Sequence, residues 1–427
     1  MQEAIESLIV DPSVPADVAE HIERAESWAG EPFLHPGEDA ERVLAEGTAR
    51  RRALDDAIAE MDAGERRIPT PQWKVRYGLM LGLERVLSDK PPRLASGTEL
   101  RRHQVDALAG MLTELIAANQ RQTDTNGNGN GALVEVEEEE DEEFELEGPE
   151  DEEQETALTS EQDPGAKRRY RFRHPTASGK TIAAAGFVEA ARTLGVLILT
   201  HRRLLVTQFD RELKAEGYGD RMTPAITEGQ EPIRGNPLTI QTYAWFARHV
   251  GSLSHDAYQL VICDEAHTAL GEKTSAAIRS FPEPVYIGMT ATEQLIAKQV
   301  SDVFPASVDD LPLGDAARRG LIAPLRDLRV PPAAAIHSVP IIGGDFDEGE
   351  LAKVLDHEAL NMAAATLYRE RFGDSPGIVY AAGVDHAYNL ATRSVPRASR
   401  PRRSPAGRRR SSWRRSSPRT SAARSTS

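Results

Sequence analysis

Short apolar runs recur along the middle of the chain, and segments with apolar positions three or four apart separate them. The runs are Val196 to Thr200, Leu238 to Thr242, Leu260 to Cys263 and Val285 to Met289. Their length and their lack of strict alternation predict strands buried on both faces. Arg203 to Glu216 and Thr274 to Ser280, between them, carry helical spacing. This alternation predicts a parallel sheet with helices on both faces. Tyr170 to Arg173 adds a strand and Ile182 to Arg192 a helix. In that strand Arg alternates with Tyr170 and Phe172, which predicts an exposed face or a local distortion. Basic residues interleaved with aromatics also suit contact with nucleic acid.

The flanks read differently. Residues 1–96 are patterned as helix. A capped helix starts at Asp11-Pro12, an amphipathic helix covers Ala40 to Met61, and another covers Trp73 to Leu87. They carry no recognisable chemistry and read as a helical adaptor or scaffold, with a substrate- or partner-recognition module as the alternative. Glu99 to Ala118 is a helix with Leu100, Val105, Leu108, Met111, Leu112 and Leu115 on its apolar side, leading into the sheet. The sheet domain spans 97–305. A second αβ-type unit starts within 306–392, where Ile378 to Ala382 reads as a strand. From Arg393 to Ser427 the hydrophobic period disappears, so this tail cannot build a core.

Charge sharpens these boundaries. The net charge is −16, which excludes a globally basic nucleic-acid binder. It is unevenly spread. Residues 135–155 hold 15 acids and no base, inside an insertion at 122–165 that opens with Asn-Gly repeats. That insertion reads as a solvated loop, or as an acidic strap competing for a basic groove. The tail holds 12 Arg and no acid. Only 8 of the 51 basic residues in the chain are Lys, which suggests a GC-rich coding sequence. The tail therefore reads as an out-of-frame continuation of the second unit, with a genuine Arg/Ser-rich arm as the alternative. No run reaches the ~18 apolar residues of a membrane helix, and the N-terminus lacks the pattern of a signal peptide. The single cysteine, Cys263, excludes an internal disulfide and fits a cytoplasmic protein.

The chemistry concentrates at two strand ends. His174-Pro-Thr176-Ala177-Ser178-Gly179-Lys180-Thr181 lies at a strand-to-helix turn. Backbone N–H groups at such a helix N-terminus attract an anion. Lys180 would reach β- and γ-phosphates, and the Thr181 hydroxyl would bind Mg²⁺. The Gly that often stands five residues before Gly179 is His174 here. Leu260 to Cys263 then delivers Asp264 and Glu265 at a strand's C-terminal end, 84 residues after Lys180 in the case of Asp264. Asp264 would hold the metal through its water shell, and Glu265 would polarise the attacking water.

These residues resemble a known family. Gly179-Lys180-Thr181 looks like motif I, and Asp264-Glu265-Ala266-His267 like motif II, of superfamily 2 DEAD/DEAH-box helicases and translocases. Leu100-Arg-Arg-His-Gln104 resembles the segment whose Gln contacts adenine. Leu197 to Arg203, with His201, Arg202 and Arg203, resembles motif Ia, which touches the nucleic-acid backbone. Thr239 to Tyr243, with Thr242, resembles the next strand of that surface. Gly288 to Thr292 resembles motif III, in which Thr290, Ala291 and Thr292 link the two sites. The flavour is that of type III restriction helicase subunits, over roughly residues 97–392.

The resemblance implies a RecA-like P-loop NTPase domain, preceded by the helical region and followed by an incomplete second RecA-like domain. It implies an ATP-hydrolysing motor that uses Mg²⁺ and acts on nucleic acid, with double-stranded DNA favoured and no membrane partner. His267 would contact the nucleotide. Motifs V and VI, with an arginine finger, have no counterpart in the sequence. Two other classes stay open: a nucleotide-dependent binding module without movement, and a P-loop ATPase that remodels proteins.

Overall fold

The computed structural model describes residues 16–64, 67–124, 163, 165–230, 236–291, 297–324, 336–342, 345–373 and 375–393. Most of the acidic insertion, the start of the Asp11 helix and the Arg-rich tail after 393 lie outside these residues, as does Thr292. The chain divides into two units, 1–325 and 326–427.

The first unit opens with six helices, α1 (Ala16–Ala29), α2 (Ala40–Val43), α3 (Ala49–Ala63), α4 (Pro71–Trp73), α5 (Leu79–Ser88) and α6 (Arg102–Asp124). The single helix expected over Ala40 to Met61 is broken in two. Gly47 takes a φ of +86°, and Thr48 caps α3 by accepting from the Arg51 amide. A glycine in the left-handed region followed by a Thr cap is a stop and a restart.

Six strands then form one wholly parallel sheet: β1 (Arg169–Arg173), β2 (Val196–Thr200), β3 (Leu238–Thr242), β4 (Leu260–Asp264), β5 (Val285–Thr290) and β6 (Ala306–Asp310). Their spatial order is β3-β2-β4-β5-β1-β6. Helices α7 (Lys180–Ala190), α8 (Arg203–Ala215), α9 (Tyr243–His249), α10 (Glu272–Arg279) and α11 (Ala297–Val303) alternate with the strands, and α12 (Leu313–Arg318) follows β6. This is the RecA-like arrangement. The sheet runs one strand past Pro305, where the sequence reading closed the domain.

Alternate residues of the strands enter two cores. Ile198, Ile262, Ile287 and Phe172 pack on one face, while Leu197, Val261, Cys263 and Tyr286 pack on the other. The N-terminal helices share the first of these cores, with Trp28, Trp73, Tyr77 and Met80 in one cluster with the sheet residues. This region, expected as an adaptor or scaffold, packs as a helical layer on the sheet. Arg85 ties the layer down, reaching Glu31 at 2.7 Å and Glu189 of α7 at 3.0 Å.

The arginines of β1 are consumed internally. Arg169 is fully buried, and its guanidinium bonds both oxygens of Asp163. Arg171 donates to the carbonyls of Phe304 and Pro305, and Arg173 pairs with Asp310. These partners explain how an interior strand of the sheet tolerates the alternation.

The second unit holds, among its described residues, a two-stranded antiparallel ribbon of β7 (Ile341–Ile342) and β8 (Asp345–Phe346), then α13 (Glu348–Leu355), α14 (Glu358–Phe372) and α15 (Val384–Arg393). Asn361 and Asp356 clasp α14 to α15 through His386 and Asn389. The segment expected as a strand at Ile378 to Ala382 forms no strand and pairs with none among the described residues, with Ile378 82% and Tyr380 92% exposed. The described residues around it offer no strand to pair with.

The closest joint between the helical layer and the motor is at Gly82, where an added Cβ would lie 1.8 Å from the carbonyl oxygen of Ala190. Overpacking against backbone costs typically ~1–3 kcal/mol and sometimes more. Gly82→Ala should therefore lower the melting temperature by several degrees in a thermal unfolding scan. An unchanged melting temperature would mean that α5 and α7 are not in contact.

Candidate nucleotide and nucleic-acid site

The sheet order places three loops side by side. β4, β5 and β1 are neighbours, so the loops after them meet at one end of the sheet. These loops carry Asp264 and Glu265, Thr290 and Ala291, and 174–179. β2 lies beside β4 and β3 beside β2; β2 ends just before His201 and β3 ends at Thr242. Open parallel sheets bind ligands at such carboxyl ends, where the strand order reverses.

Two residues of the phosphate loop are in the left-handed region, Gly179 at φ +90° and Ala177 at φ +67°. Gly179 caps α7, and an added Cβ there would meet Gln104 Nε2 at 2.9 Å. Thr176 and Ala177 are exposed and line a cleft of about 410 Å³ shared with Ala291, Leu311 and Ile322. The loop is held from behind. His103 Nε2 donates to the Ser178 carbonyl at 2.8 Å, and His174 Nε2 meets Asp309 Oδ2 at 2.6 Å. His174 also makes edge-to-face ring contacts with Phe172 and His103. The residue at the unusual position is thus a buried strut between the loop and β6. Its signal in the sequence was the departure itself.

Gln104, the residue expected to contact adenine, lies behind the phosphate loop. It is 2% exposed, its Nε2 donates to the Gly179 carbonyl at 3.1 Å, and its Oε1 accepts from the Arg101 amide at 2.8 Å. In this conformation its amide is spent on holding the loop.

Lys180 Nζ is buried with no hydrogen-bond partner, as is Ser178 Oγ. Nζ lies 3.3 Å from Glu265 Oε1, close enough for ion pairing though not aligned as a hydrogen bond. Thr181 follows in the first turn of α7. A buried ammonium without an acceptor, beside an open helix N-terminus and two carboxylates, fits the donor set a metal-bound polyphosphate needs.

Asp264 is buried. Burial and then the neighbouring Glu265 push its carboxyl up to about 6, against the lowering pull of Lys180 and the hydrogen bond from Thr200. Thr200 Oγ1 donates to Asp264 Oδ2 at 3.4 Å. Glu265 sits at φ +48°, ψ +59°. A left-handed non-glycine residue costs ~1–2 kcal/mol. Three hydrogen bonds hold this turn. Tyr243 O–H donates to the Asp264 carbonyl at 2.9 Å, and the Thr268 amide and hydroxyl both donate to the Glu265 carbonyl. Each contributes about 1 kcal/mol, and leaving a buried carbonyl unpaired costs ~1–3 kcal/mol, so they offset the strain. His267 Nδ1 is 3.4 Å from Thr290 Oγ1 and 3.6 Å from Glu265 Oε2. Burial lowers its pKa, which favours neutral imidazole.

His201, Arg202 and Arg203 are all exposed at the end of β2. Thr242 caps α9 by accepting from the Trp245 amide at 3.2 Å. The sequence reading passed over Trp245, which stacks on His249 with ring centroids 4.5 Å apart beside exposed Arg248. The interleaving of aromatic and basic residues was its available signal. Tyr243 and Thr200 were also passed over, because a buried hydroxyl aimed at a carboxylate loop leaves no mark in a sequence.

Residues 98–295 match the family described as type III restriction enzyme, res subunit. That stretch runs from just before α6 to just after β5 and holds both the phosphate loop and the acidic pair. No curated protein matches the chain. Among solved structures the chain is similar to the UvsW helicase of bacteriophage T4, at 16% identity over 34% of this chain and 54% of that one, TM-score 0.27. It is similar to a hypothetical ATP-dependent RNA helicase of Sulfolobus tokodaii, at 18% identity over 34% and 48%, TM-score 0.28. It is also similar to the Hef helicase domain of Pyrococcus furiosus, at 19% identity over 53% and 49%, TM-score 0.30. The chain spans about half the length of each of these structures. Among the described residues, no helix is long and apolar enough to cross a membrane.

Two outcomes follow from the geometry. Ala177→Gly relieves ~1–2 kcal/mol of backbone strain and gives back ~0.4–1 kcal/mol through a more flexible unfolded chain. The variant should be as stable as the parent or up to about 1 kcal/mol more stable in urea denaturation, whereas Ala177→Val should be destabilised. The second outcome concerns Asp264, whose carboxyl sits at about 6 in the fold and ~3.9 in an unfolded chain. Between those values the native state holds a proton that the unfolded state has lost. Its contribution, up to about 3 kcal/mol, is complete below pH ~4 and is lost as pH rises through 6. Asp264→Asn should flatten the metal-free stability profile over that window.

Proposed function

We propose that this chain binds Mg-ATP at the loops after β1 and β4 and hydrolyses it as a motor acting on nucleic acid, with double-stranded DNA as the substrate. The observation that carries the reading is the buried ammonium of Lys180 at the start of α7, which makes no hydrogen bond and is ion-paired only to Glu265, at 3.3 Å, beside Asp264. Mg-ATP would supply the anhydride to be cleaved and a divalent charge on its phosphates. Lys180 and the amides of Ser178, Gly179 and Lys180 would hold the phosphates, with Thr176 and Ala177 at the open side of the loop. Thr181 and Asp264 would hold the metal. Glu265 would orient and polarise the attacking water, and His267 would bridge toward Thr290. Ala291 and Thr292 would complete that bridge. Gln104 would read adenine only after leaving the Gly179 carbonyl, so on this reading it also reports whether the loop is filled.

His201, Arg202, Arg203 and Thr242 would contact the nucleic-acid backbone, a surface that a −16 chain confines to one local groove. The accompanying division is 1–96 helical, 97–305 motor, 306–392 the start of a second RecA-like domain and 393–427 tail, in a cytoplasmic protein. A second reading, nucleotide-dependent binding without movement, draws on the unpaired and exposed segment at Ile378 to Tyr380. Motors of this kind close their site with a second lobe, and an arginine finger contributes roughly 10³–10⁵ in rate in phosphoryl-transfer enzymes.

Titration with a fluorescent ATP analogue tests the site. Lys180→Ala should abolish binding, and equal binding by parent and variant would remove the assignment. Glu265→Gln should bind normally and lose whatever hydrolysis the parent shows.

A further inference from the structure

We infer that Tyr243, seconded by Thr200, is a positioning residue through which bound nucleic acid governs the setting of Asp264 and Glu265. The inference rests on the proposed nucleotide and nucleic-acid sites and adds a connection between them.

The connection is short. Tyr243 directly follows Thr242, and Thr200 directly precedes His201. The two segments lie at the ends of β3 and β2, which pair in register from Val196 with Leu238 to Thr200 with Thr242. Each sends one hydroxyl to the same residue. Tyr243 O–H donates to the Asp264 carbonyl at 2.9 Å, and Thr200 O–H donates to the Asp264 carboxylate at 3.4 Å. Tyr243 is buried, so water cannot take over its bond.

The geometry gives these bonds a task beyond filling space. The Asp264 carbonyl belongs to the peptide plane that carries the Glu265 amide. Fixing that plane fixes the axis about which Glu265 turns, and Glu265 occupies the left-handed region. In that setting its carboxylate lies 3.3 Å from Lys180 Nζ. Tyr243 is also the first residue of α9, whose cap is the Thr242 hydroxyl. A nucleic-acid strand engaging Thr242 would pull on the first turn of α9. That pull reaches the Asp264 carbonyl through one side chain. Cys263 lies in the same apolar cluster as the Tyr243 ring, and its thiol is the phenol's other hydrogen-bond partner, so the hydroxyl is held between the thiol and the Asp264 carbonyl.

The test is a linkage measurement on the full chain. DNA affinity is measured by anisotropy with a fluorescein-labelled partial-duplex oligonucleotide, with and without a Mg-bound nonhydrolysable ATP analogue. The parent should show affinities that differ between the two conditions by about 5–150-fold, the usual range for coupled sites. Tyr243→Phe, which removes one oxygen, should bring that ratio to within about 3-fold of unity while each ligand alone still binds. Thr200→Val should reduce the ratio and Thr200→Ser should keep it. A Tyr243→Phe variant that retains the parent's ratio, or weakens both affinities alike with the ratio intact, overturns the inference, since the hydroxyl would then only support the fold. A parent that binds both ligands without linkage overturns it as well. A parent that binds neither ligand is a different result: it overturns the proposed function itself.

Discussion

A lysine and a glutamate 85 residues apart in the sequence face each other at 3.3 Å, and the strand order is what brings them together. The chain leaves β1, builds β2, β3 and β4 on the far side, and returns through β5 to lie beside β1. Only that crossover sets the loop after β1 one strand away from the loop after β4. The opposed charges then satisfy each other in a place with little water, where neither would be stable alone. The rest of the site is arranged around keeping this pair in position. His103, His174 and Gln104 brace the lysine loop from below, and Tyr243 and Thr268 brace the strained glutamate turn.

The pair is therefore poised. An anion at the loop would compete with Glu265 for Lys180, and Glu265 would be left to turn toward whatever lies at the mouth of the site. Its neighbour Asp264 already pays part of the electrostatic cost, with a carboxyl raised to about 6 by burial and by Glu265 itself. A divalent cation would reverse that penalty. The same acidic proximity that raises the Asp264 carboxyl is the feature that suits a cation.

Much of the motor unit was legible because its signals are local. Buried parallel strands are continuous apolar runs, and β2, β3, β4 and β5 lie within a residue of where such runs place them. The phosphate loop and the acidic pair were legible as short words at strand ends. What stayed hidden depends on distant partners. β6 reads Ala-Ser-Val-Asp-Asp, too polar to announce a strand, and it forms because β1 offers an edge. The arginines of β1 looked like exposed or nucleic-acid residues until Asp163, Phe304, Pro305 and Asp310 accounted for them. Gln104 was identified by position, yet where its amide points is decided by a backbone 75 residues away. The break at Gly47-Thr48 is the exception, since its signal was local and was outweighed by the helical period around it.

The contact between Gly82 and Ala190 bears on how such a lobe can be reused. Two backbones that approach this closely leave no room for side chains of differing size, so the helical layer and α7 must change together or not at all. A motor sheet that meets its neighbour through interchangeable side chains can be transplanted onto new flanking domains. This one is keyed to its own N-terminal helices by glycine, and residues 97 onward taken alone would present the core face of α7 to solvent. The recognisable family words begin near residue 98, but the smallest heritable piece of this protein begins well before them.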